Sequence, residues 1–131
     1  MDFRWRFAVT DDEVNGLTAS YGGQPAPGWW YRIRPHSLGW VTAHLPDESV
    51  VGFANVAWDG CDHAFLLDPK TRLDYQRQGI ATRVVRLAVE QAAQAGCEWL
   101  HVDFDDRDRL AGFYFDACGF RPTAAGLIQL R

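Results

Sequence analysis

The stretch DYQRQGIATRVV, from Asp74 to Val85, combines small side chains and cations at the predicted start of a helix. The first N–H groups of a helix have no intrahelical partner and carry a partial positive charge, so they are suited to bind anions. Gly79 would let a phosphate approach these groups, because glycine places no bulky Cβ atom in the way. The stretch therefore has the composition of a phosphate cradle.

The charges around this turn support the same interpretation. Arg77 and Arg83 flank Gly79, and Thr82 adds a hydroxyl group to the first turn. Acidic residues are normally favoured at a helix N-terminus, so extra cations there indicate a bound anion. A solvated surface turn is the alternative, since glycine often precedes a helix. The spacing matches neither GxxxxGK[ST] nor GxGxxG, which disfavours the nucleotide-binding enzymes that carry those motifs.

A second block, DRLAGFYFDACGF from Asp108 to Phe120, follows on the C-terminal side. Together the two blocks resemble the GNAT superfamily of N-acetyltransferases, in which Q/R-x-x-G-x-G/A begins a helix that binds the pyrophosphate of acetyl-CoA. Gln76-x-x-Gly79-x-Ala81 matches the first motif. The second motif is matched by Ala111, Tyr114, Gly119 and Phe120. The resemblance covers nearly the whole chain, best from about Val50 onward and least well between Gly22 and Pro35.

The resemblance implies an α/β (α+β) fold in a single domain over residues 1–131. Its sheet would be mixed and mostly antiparallel, with one splayed pair of strands and helices on its faces. It implies acetyl-CoA as co-substrate and direct attack by a substrate amine in a ternary complex. We expect no metal, because the adjacent Cys61, Asp62 and His63 are poorly spaced for tetrahedral coordination. The backbone of LLDPKT would bind the pantetheine arm, and one of its N–H groups would polarise the thioester carbonyl. The residues implied in cofactor binding are Lys70, Thr71, Gln76, Arg77, Gln78, Gly79, Ile80, Ala81, Thr82, Arg83, Asp108 and Tyr114.

The chain departs from the family pattern at two positions. Phe115 stands where the family often has the tyrosine that protonates the leaving thiolate, and Tyr114 lies one residue earlier, about 100° away on a helix. Tyr114 would either pack beside the cofactor or, if the helix is shifted, serve as the catalytic acid. A thiol has a pKa near ~8.5, so the thiolate could also leave unprotonated. Asp108 replaces the family's asparagine and would cap the helix or bind the cofactor.

Phe115 keeps a second function open, a non-catalytic acyl-CoA-binding or sensing module on the same fold. An enzyme would need a general base for the substrate ammonium. Asp68 has the best position, because it lies near the end of the strand where the thioester is expected. His63, His101 and Asp103 are the other candidates for the base. An exposed strand-end acid at Asp68 and ordinary surface partners at His101 and Asp103 are the alternatives.

The acceptor side is the least specified part of the sequence. Aromatic residues in the loop before the second strand could stack on a ring or hold a cation, and they could equally form a lid or a dimer contact. We predict the substrate residues to be Trp29, Trp30, Tyr31, His101 and Asp103. Several acidic residues nearby favour a cationic acceptor such as a small amine.

The remaining pattern supplies the elements that would position these residues. Alternating apolar residues from Phe3 to Val9 predict a strand, and Thr10 with Glu13 predicts a capping box that begins a helix. The stretch GGQPAPGWWYRIRP predicts a long loop. SLGWVTAHL, SVVGFANVAW and HAFLLD predict an antiparallel meander, with a hairpin at Asp59-Gly60. Helical spacing from Ile80 to Ala95, the strand CEWLHVDF, the helix RDRLAGFYFDACG and a closing strand GLIQL complete the order.

Bulk properties exclude several classes of protein. The 131 residues carry a net charge of −4 without a basic run, which argues against a nucleic-acid partner. No apolar run approaches the roughly 20 residues of a membrane helix, and the N-terminus does not resemble a signal peptide, so we expect a cytoplasmic protein. Cys61, Cys97 and Cys118 are widely spaced and predict reduced thiols. A homodimer remains open.

Overall fold

The computed structural model describes residues 1–105 and 109–131. Five strands form one sheet in the order β1-β2-β3-β4-β5, which is also their order along the chain. The first four strands pair antiparallel, and β4 and β5 pair in parallel. The sheet is mixed and mostly antiparallel, as the sequence predicted. The strands are β1 (Asp2–Trp5), β2 (Ser37–His44), β3 (Val50–Trp58), β4 (His63–Thr71) and β5 (Trp99–Val102).

Helices cover both faces of this sheet. They are α1 (Asp11–Ser20), α2 (Trp29–Ile33), α3 (Ile80–Gln94) and a π-helical segment, Gly112–Ala117, with short 3-10 turns at Arg34–His36 and Leu73–Tyr75. One core lies under α3 and the π-helical segment, and a second core lies under α1 and α2. The longest helix in the described ranges has 15 residues, and none of the helices there could cross a membrane.

Local chemistry explains where α1 begins. The Thr10 hydroxyl accepts the Glu13 N–H, and the Glu13 carboxylate accepts the Thr10 N–H, so the predicted capping box is present. Asp11 follows it and is buried. Its carboxylate accepts the N–H groups of Gly28 and Trp30, both at 2.8 Å, and therefore holds the start of α2 against α1.

Three predictions about the elements need correction. The loop predicted over residues 22–35 contains α2, which forms because Asp11 caps it and Trp30 is buried in the second core. The first strand ends at Trp5, since Arg6 adopts a left-handed backbone with φ 57°. Gly126–Leu130, predicted as a closing strand, forms no strand, and its apolar side chains are exposed.

The splayed pair of strands is visible in the pairing registers. β4 and β5 pair only from His63 opposite Trp99 to Leu66 opposite Val102. β4 continues alongside β3 as far as Thr71. The last five residues of β4 therefore have no β5 residue paired with them, because β5 ends at Val102, and a gap lies on that side of β4.

Candidate active site at the splayed strands

The gap beside β4 opens into a cleft of about 790 Å³. Its walls are the end of β4, the start of α3 and the π-helical segment. Ligand sites in proteins typically enclose about 300–1,000 Å³, so the cleft can hold a cofactor-sized molecule. The lining includes nine of the predicted cofactor residues, which are Lys70, Thr71, Gln76, Arg77, Gly79, Ile80, Ala81, Thr82 and Tyr114.

The entrance of α3 has the features of an anion site. Gly79 is the N-cap with φ 80°, no side chain caps the helix, and the first turn contains no acidic residue. A Cβ atom at Gly79 would meet no atom within 4 Å, so the space in front of the helix is open. The unpaired N–H groups of the first turn therefore point into the cleft with nothing of the chain's own to satisfy them.

The loop leading into α3 is held in place by its own side chains. The Gln76 side chain donates to the Thr71 carbonyl at 3.1 Å, and the Gln78 side chain donates to the Asp74 carbonyl at 3.3 Å. Arg72 pairs with the Asp74 carboxylate at 2.8 Å. Both glutamine side chains thus brace the loop.

Two predicted cofactor residues do not line the cleft through their side chains. The Arg83 guanidinium lies 4.0 Å from the ring centroid of Phe3 on β1, which directs it away from the cleft. Gln78 is exposed beside the loop that it braces. The prediction for Asp108 falls outside the described residues.

Asp68 occupies a bulge in β4. Phe53 pairs with Lys70 and Asn55 with Leu67, so Ala54 alone faces both Asp68 and Pro69. Asp68 has φ 55°, a left-handed conformation that most residues avoid but that Asp and Asn tolerate. Although the residue is exposed, partial removal of its carboxylate from water raises its pKa, and the charge of Lys70 opposes this shift. Strained backbone and a shifted pKa at one residue are typical of functional sites.

Lys70 lies just beyond the bulge and faces α1 and α2. Its ammonium donates to the Thr18 hydroxyl at 2.7 Å and lies 4.4 Å from the ring centroid of Trp29. Burial lowers the pKa of Lys70, and the charge of Asp68 opposes that shift. This contact links the predicted substrate residue Trp29 to the cleft, a link that no sequence pattern indicated.

The π-helical segment decides which aromatic residue faces the cleft. Tyr114 lines the cleft and is buried, whereas Phe115 lines a different groove. The Cys118 N–H bonds to the Phe113 carbonyl five residues back, a π-type bond that shifts the helix relative to an α-helix. Burial raises the pKa of Tyr114 to about 12, so its hydroxyl stays protonated at any physiological pH.

Besides Trp29, the predicted substrate residues are spread over three places. Trp30 is fully buried between Trp40 and Phe53, so it is a core residue and does not line an acceptor pocket as we predicted. Tyr31 is exposed against Arg34 and lines neither cavity. His101 and Asp103 line the second groove, of about 780 Å³, on the β5 side of the molecule.

Among the described residues, the other candidate bases and the three cysteines do not form one catalytic or metal-binding cluster. His63 Nδ1 and His101 Nε2 lie 2.7 Å apart, and both residues are exposed. Within residues 1–105 and 109–131, no three His, Cys, Asp or Glu side chains are grouped as metal ligands. That the chemistry needs no metal stays a prediction. All three cysteines are free.

Comparison with solved structures shows the same fold in acetyltransferases. A GNAT-family acetyltransferase from Streptococcus pneumoniae superposes with a TM-score of 0.82 at 22% identity, covering 99% of this chain and 97% of that one. The aminoglycoside acetyltransferase AAC(6′)-Iy, in complex with a CoA-linked bisubstrate analogue, has a TM-score of 0.76 at 18% identity, with 99% and 97% covered. A structure described as an acetyltransferase from Deinococcus radiodurans has a TM-score of 0.75 at 20% identity, with 98% and 89% covered.

Sequence comparison gives the family directly. No curated protein sequence matches the chain. The model of the acetyltransferase (GNAT) family matches residues 8–120, which contain both α3 with its glycine entrance and the π-helical segment with Tyr114. The match spans most of the chain, and the chain therefore belongs to the GNAT acetyltransferase family.

Proposed function

We propose that the protein is an N-acetyltransferase that moves the acetyl group of acetyl-CoA to a primary amine of a small molecule. The observation that carries the proposal is the meeting of three features in one cleft. These are the uncapped entrance of α3, the protonated Tyr114, and the end of β4, where Pro69 and Lys70 line the cleft directly after Asp68 in the bulge. Family membership supports acyl transfer, and the cleft supports the more specific reaction.

The helix entrance fits the pyrophosphate of acetyl-CoA. Open space in front of Gly79, the unpaired N–H groups of α3 and the exposed Arg77 suit a dianionic group. The unpaired side of β4 suits an extended pantetheine arm, which would pair with its backbone. Acetyl-CoA would supply the acyl group as an activated thioester at the bulge.

Asp68 is the proposed general base. It would accept a proton from the substrate ammonium and so leave the nitrogen lone pair free to attack the thioester carbonyl. Its raised pKa brings the carboxylate closer to the pKa of the amine, which makes the transfer less unfavourable. A C–N bond then forms, the C–S bond breaks with the sulfur leaving as a thiolate, and the second proton of the nitrogen passes to solvent or to that thiolate. Pro69 has no N–H, so within this bulge the N–H of Asp68 or of Lys70 would polarise the thioester carbonyl.

Tyr114 is the proposed donor to the leaving sulfur. A phenol with a pKa of about 12 gives up its proton to a thiolate only at a cost, because a thiol has a pKa near ~8.5. Its main contribution would then be a hydrogen bond that stabilises the thiolate. Since Tyr114 lines the cleft and Phe115 does not, the structure favours the enzyme over the sensing module.

The partners and location follow as parts of the proposal. The acceptor would approach from the side of α1 and α2, where Trp29 and Lys70 lie against the end of β4. We propose a small amine as acceptor, a cytoplasmic location, and no nucleic-acid or membrane partner. The net charge of −4 is consistent with a cationic acceptor and not with a polyanion.

Calorimetry with acetyl-CoA tests the cradle. Gly79→Asp is expected to weaken binding at least 100-fold, since it places a side chain and a negative charge where the pyrophosphate would lie, at a backbone angle that disfavours non-glycine residues. Gly60→Asp is the matched control. Gly60 has φ 86° and open space around it, but it lies in the β3–β4 turn away from the cleft.

Binding that survives Gly79→Asp, or falls equally in Gly60→Asp, would refute the cradle. Release of free thiol across a panel of amines then tests the transfer itself. Micromolar binding of acetyl-CoA without thiol release on any amine would favour the sensing module.

A further inference from the structure

Lys70 differs in type from every other strongly basic residue of the chain. The chain has 13 lysine and arginine residues, and Lys70 is the only lysine among them. It lines the cleft directly after the bulge of β4, so it lies beside the position proposed for the thioester. An ammonium is a compact charge with three N–H donors, whereas a guanidinium is a broad planar fork. The lysine therefore provides a small cationic contact at this end of the cleft.

The chain itself satisfies the Lys70 ammonium only in part. One N–H group donates to the Thr18 hydroxyl at 2.7 Å, and the charge lies 4.4 Å from the ring centroid of Trp29. Neither partner is an anion, and none of the carboxylates in residues 1–105 and 109–131 forms a salt bridge with the ammonium. Removing an ammonium from water without a counter-ion is unfavourable, and burial accordingly lowers the pKa of Lys70. The ammonium therefore has donors left for an anionic ligand.

The Asp68 carboxylate is the opposite charge, on the other side of Pro69. The charge of each residue opposes the pKa shift of the other, so Asp68 and Lys70 lie within electrostatic range. They nevertheless form no salt bridge with each other. The end of β4 thus presents an anion and a cation side by side, and neither is neutralised by direct contact.

A ligand with two opposite charges fits this arrangement better than a simple cation does. A cationic amine that reaches Asp68 also brings its charge close to that of Lys70, and like charges repel. An amine that carries a carboxylate as well supplies the missing anion, so each charge of the bulge gains a partner. One ammonium is balanced by one negative charge, which favours a carboxylate over a dianionic phosphate.

We infer that the acceptor is an amino acid, a primary amine that also carries a carboxylate, and that Lys70 binds this carboxylate. The inference rests on the proposed N-acetyltransferase function and narrows its substrate class. Phe53, opposite Lys70 on β3, and Tyr21, directly after α1, line the same cleft and contact the rest of the acceptor. Asp68 receives the proton from the amine while Lys70 holds the carboxylate, so the two charges together orient the nitrogen toward the thioester.

Matched pairs of acceptors test this charge preference. Each common amino acid is compared with the amine that lacks only its carboxylate, for example phenylalanine with phenethylamine and lysine with cadaverine. Transfer is measured as thiol release from acetyl-CoA, and binding is measured by calorimetry on the protein saturated with CoA. In at least one pair we expect the amino acid to bind more tightly and to have a KM lower by roughly 10-fold to 100-fold, the range that corresponds to one hydrogen bond between charged groups.

Variants of Lys70 and of its partner assign the preference to the charge. Lys70→Met keeps an unbranched side chain but removes the ammonium, and it is expected to abolish the preference by raising the KM of the amino acid. Lys70→Arg keeps the charge and is expected to retain most of the preference. Thr18→Val is the matched control, because it removes the hydrogen bond to Lys70 and leaves the charge in place. It is expected to keep the preference.

Failure of this inference can be distinguished from failure of the proposed function. Tighter binding of the amino acid without any thiol release would contradict acetyl transfer but support the role of Lys70. Thiol release or binding that is equal within every pair would overturn that role, and so would the absence of binding in all pairs. A preference that Lys70→Met retains, or that Lys70→Arg loses, would also overturn it, since the charge of residue 70 would then not be its cause.

Discussion

Asp68 combines a raised pKa with a left-handed backbone, and this makes one substitution informative. Asp68→Asn keeps a residue that tolerates φ 55° and removes only the ability to accept a proton. We expect kcat to fall by roughly 10²–10⁴-fold, the usual contribution of a general base, with little change in acetyl-CoA affinity. Steady-state thiol release and calorimetry measure the two effects. Asp62→Asn, in the exposed β3–β4 turn, is the control.

Asp68→Asn is expected to lower kcat but to raise the free energy of unfolding relative to the parent as pH rises. A carboxyl whose pKa is raised by folding binds more protons in the native state, so its contribution to stability falls as pH rises above the ordinary carboxyl value. Chemical denaturation at pH 4 and pH 7 should therefore show Asp68→Asn gaining stability relative to the parent as pH rises. Equal losses of rate and of cofactor binding, or a loss of stability at pH 7, would identify Asp68 as structural.

Exchanging the side chains of Tyr114 and Phe115 tests which of the two positions supplies the hydrogen-bond donor to the leaving sulfur. Tyr114→Phe is expected to lower kcat by about tenfold, the factor that corresponds to a hydrogen bond of roughly 1.4 kcal/mol. The double variant Tyr114→Phe with Phe115→Tyr restores the hydroxyl one residue later, on the groove side. Since Phe115 does not line the cleft, we expect no recovery of kcat. Recovery in the double variant would show that residue 115 faces the reacting atoms.

At the scale of elements, α2 depends on a single carboxylate. Asp11 is buried and accepts N–H groups from Gly28, Trp30 and the Asn15 side chain. Asp11→Ala leaves those donors without a partner and should lower the free energy of unfolding by about 3 kcal/mol, measured by urea denaturation. Asp12→Ala, an exposed change in the same helical turn, should cost only about 0.5 kcal/mol of dipole interaction. Similar losses in both variants would contradict this role for Asp11.

The sequence was informative about elements wherever one local rule was strong. The capping box at Thr10, the meander and the helix from Ile80 follow from side-chain periodicity and from caps, which act over a few residues. The short helix α2 was missed because it depends on Asp11, which lies 17 residues before Gly28. The π-helical shift that turns Tyr114 toward the cleft has no comparable signal in the sequence.

In the candidate site, too, the features set by local sequence patterns were predictable and those set by tertiary packing were not. Gly79 and its neighbours were predictable because an uncapped, glycine-led helix start is a local pattern. Trp29 and Lys70 are separated by 40 intervening positions along the chain, and only tertiary packing brings them together. Trp30 was assigned to the acceptor with its aromatic neighbours, yet it is the side chain that holds α2 to the sheet. Composition alone does not separate an aromatic residue in a core from one in a pocket.

At the scale of the whole molecule, the two faces of the sheet carry different parts of the candidate site. The face under α3 carries the helix entrance and the cofactor cleft, and the face under α1 and α2 carries the contacts of Trp29 and Lys70. β4 is the strand shared by both, and its bulge lies where the pairing with β5 has ended. The proposed chemistry thus depends on the point where the sheet opens.

The left-handed backbone at Asp68 also limits how the site can change over generations. Besides Asp, the residues that tolerate such a backbone include Asn and Gly. Each is reached from an Asp codon by a single-nucleotide change, and neither has a side chain that can accept a proton as a carboxylate does. A longer acid, such as Glu, would have to adopt a conformation that it disfavours. The gene can therefore lose the proposed base in one step while keeping the fold, so an active enzyme and an inactive acyl-CoA-binding descendant would be immediate mutational neighbours.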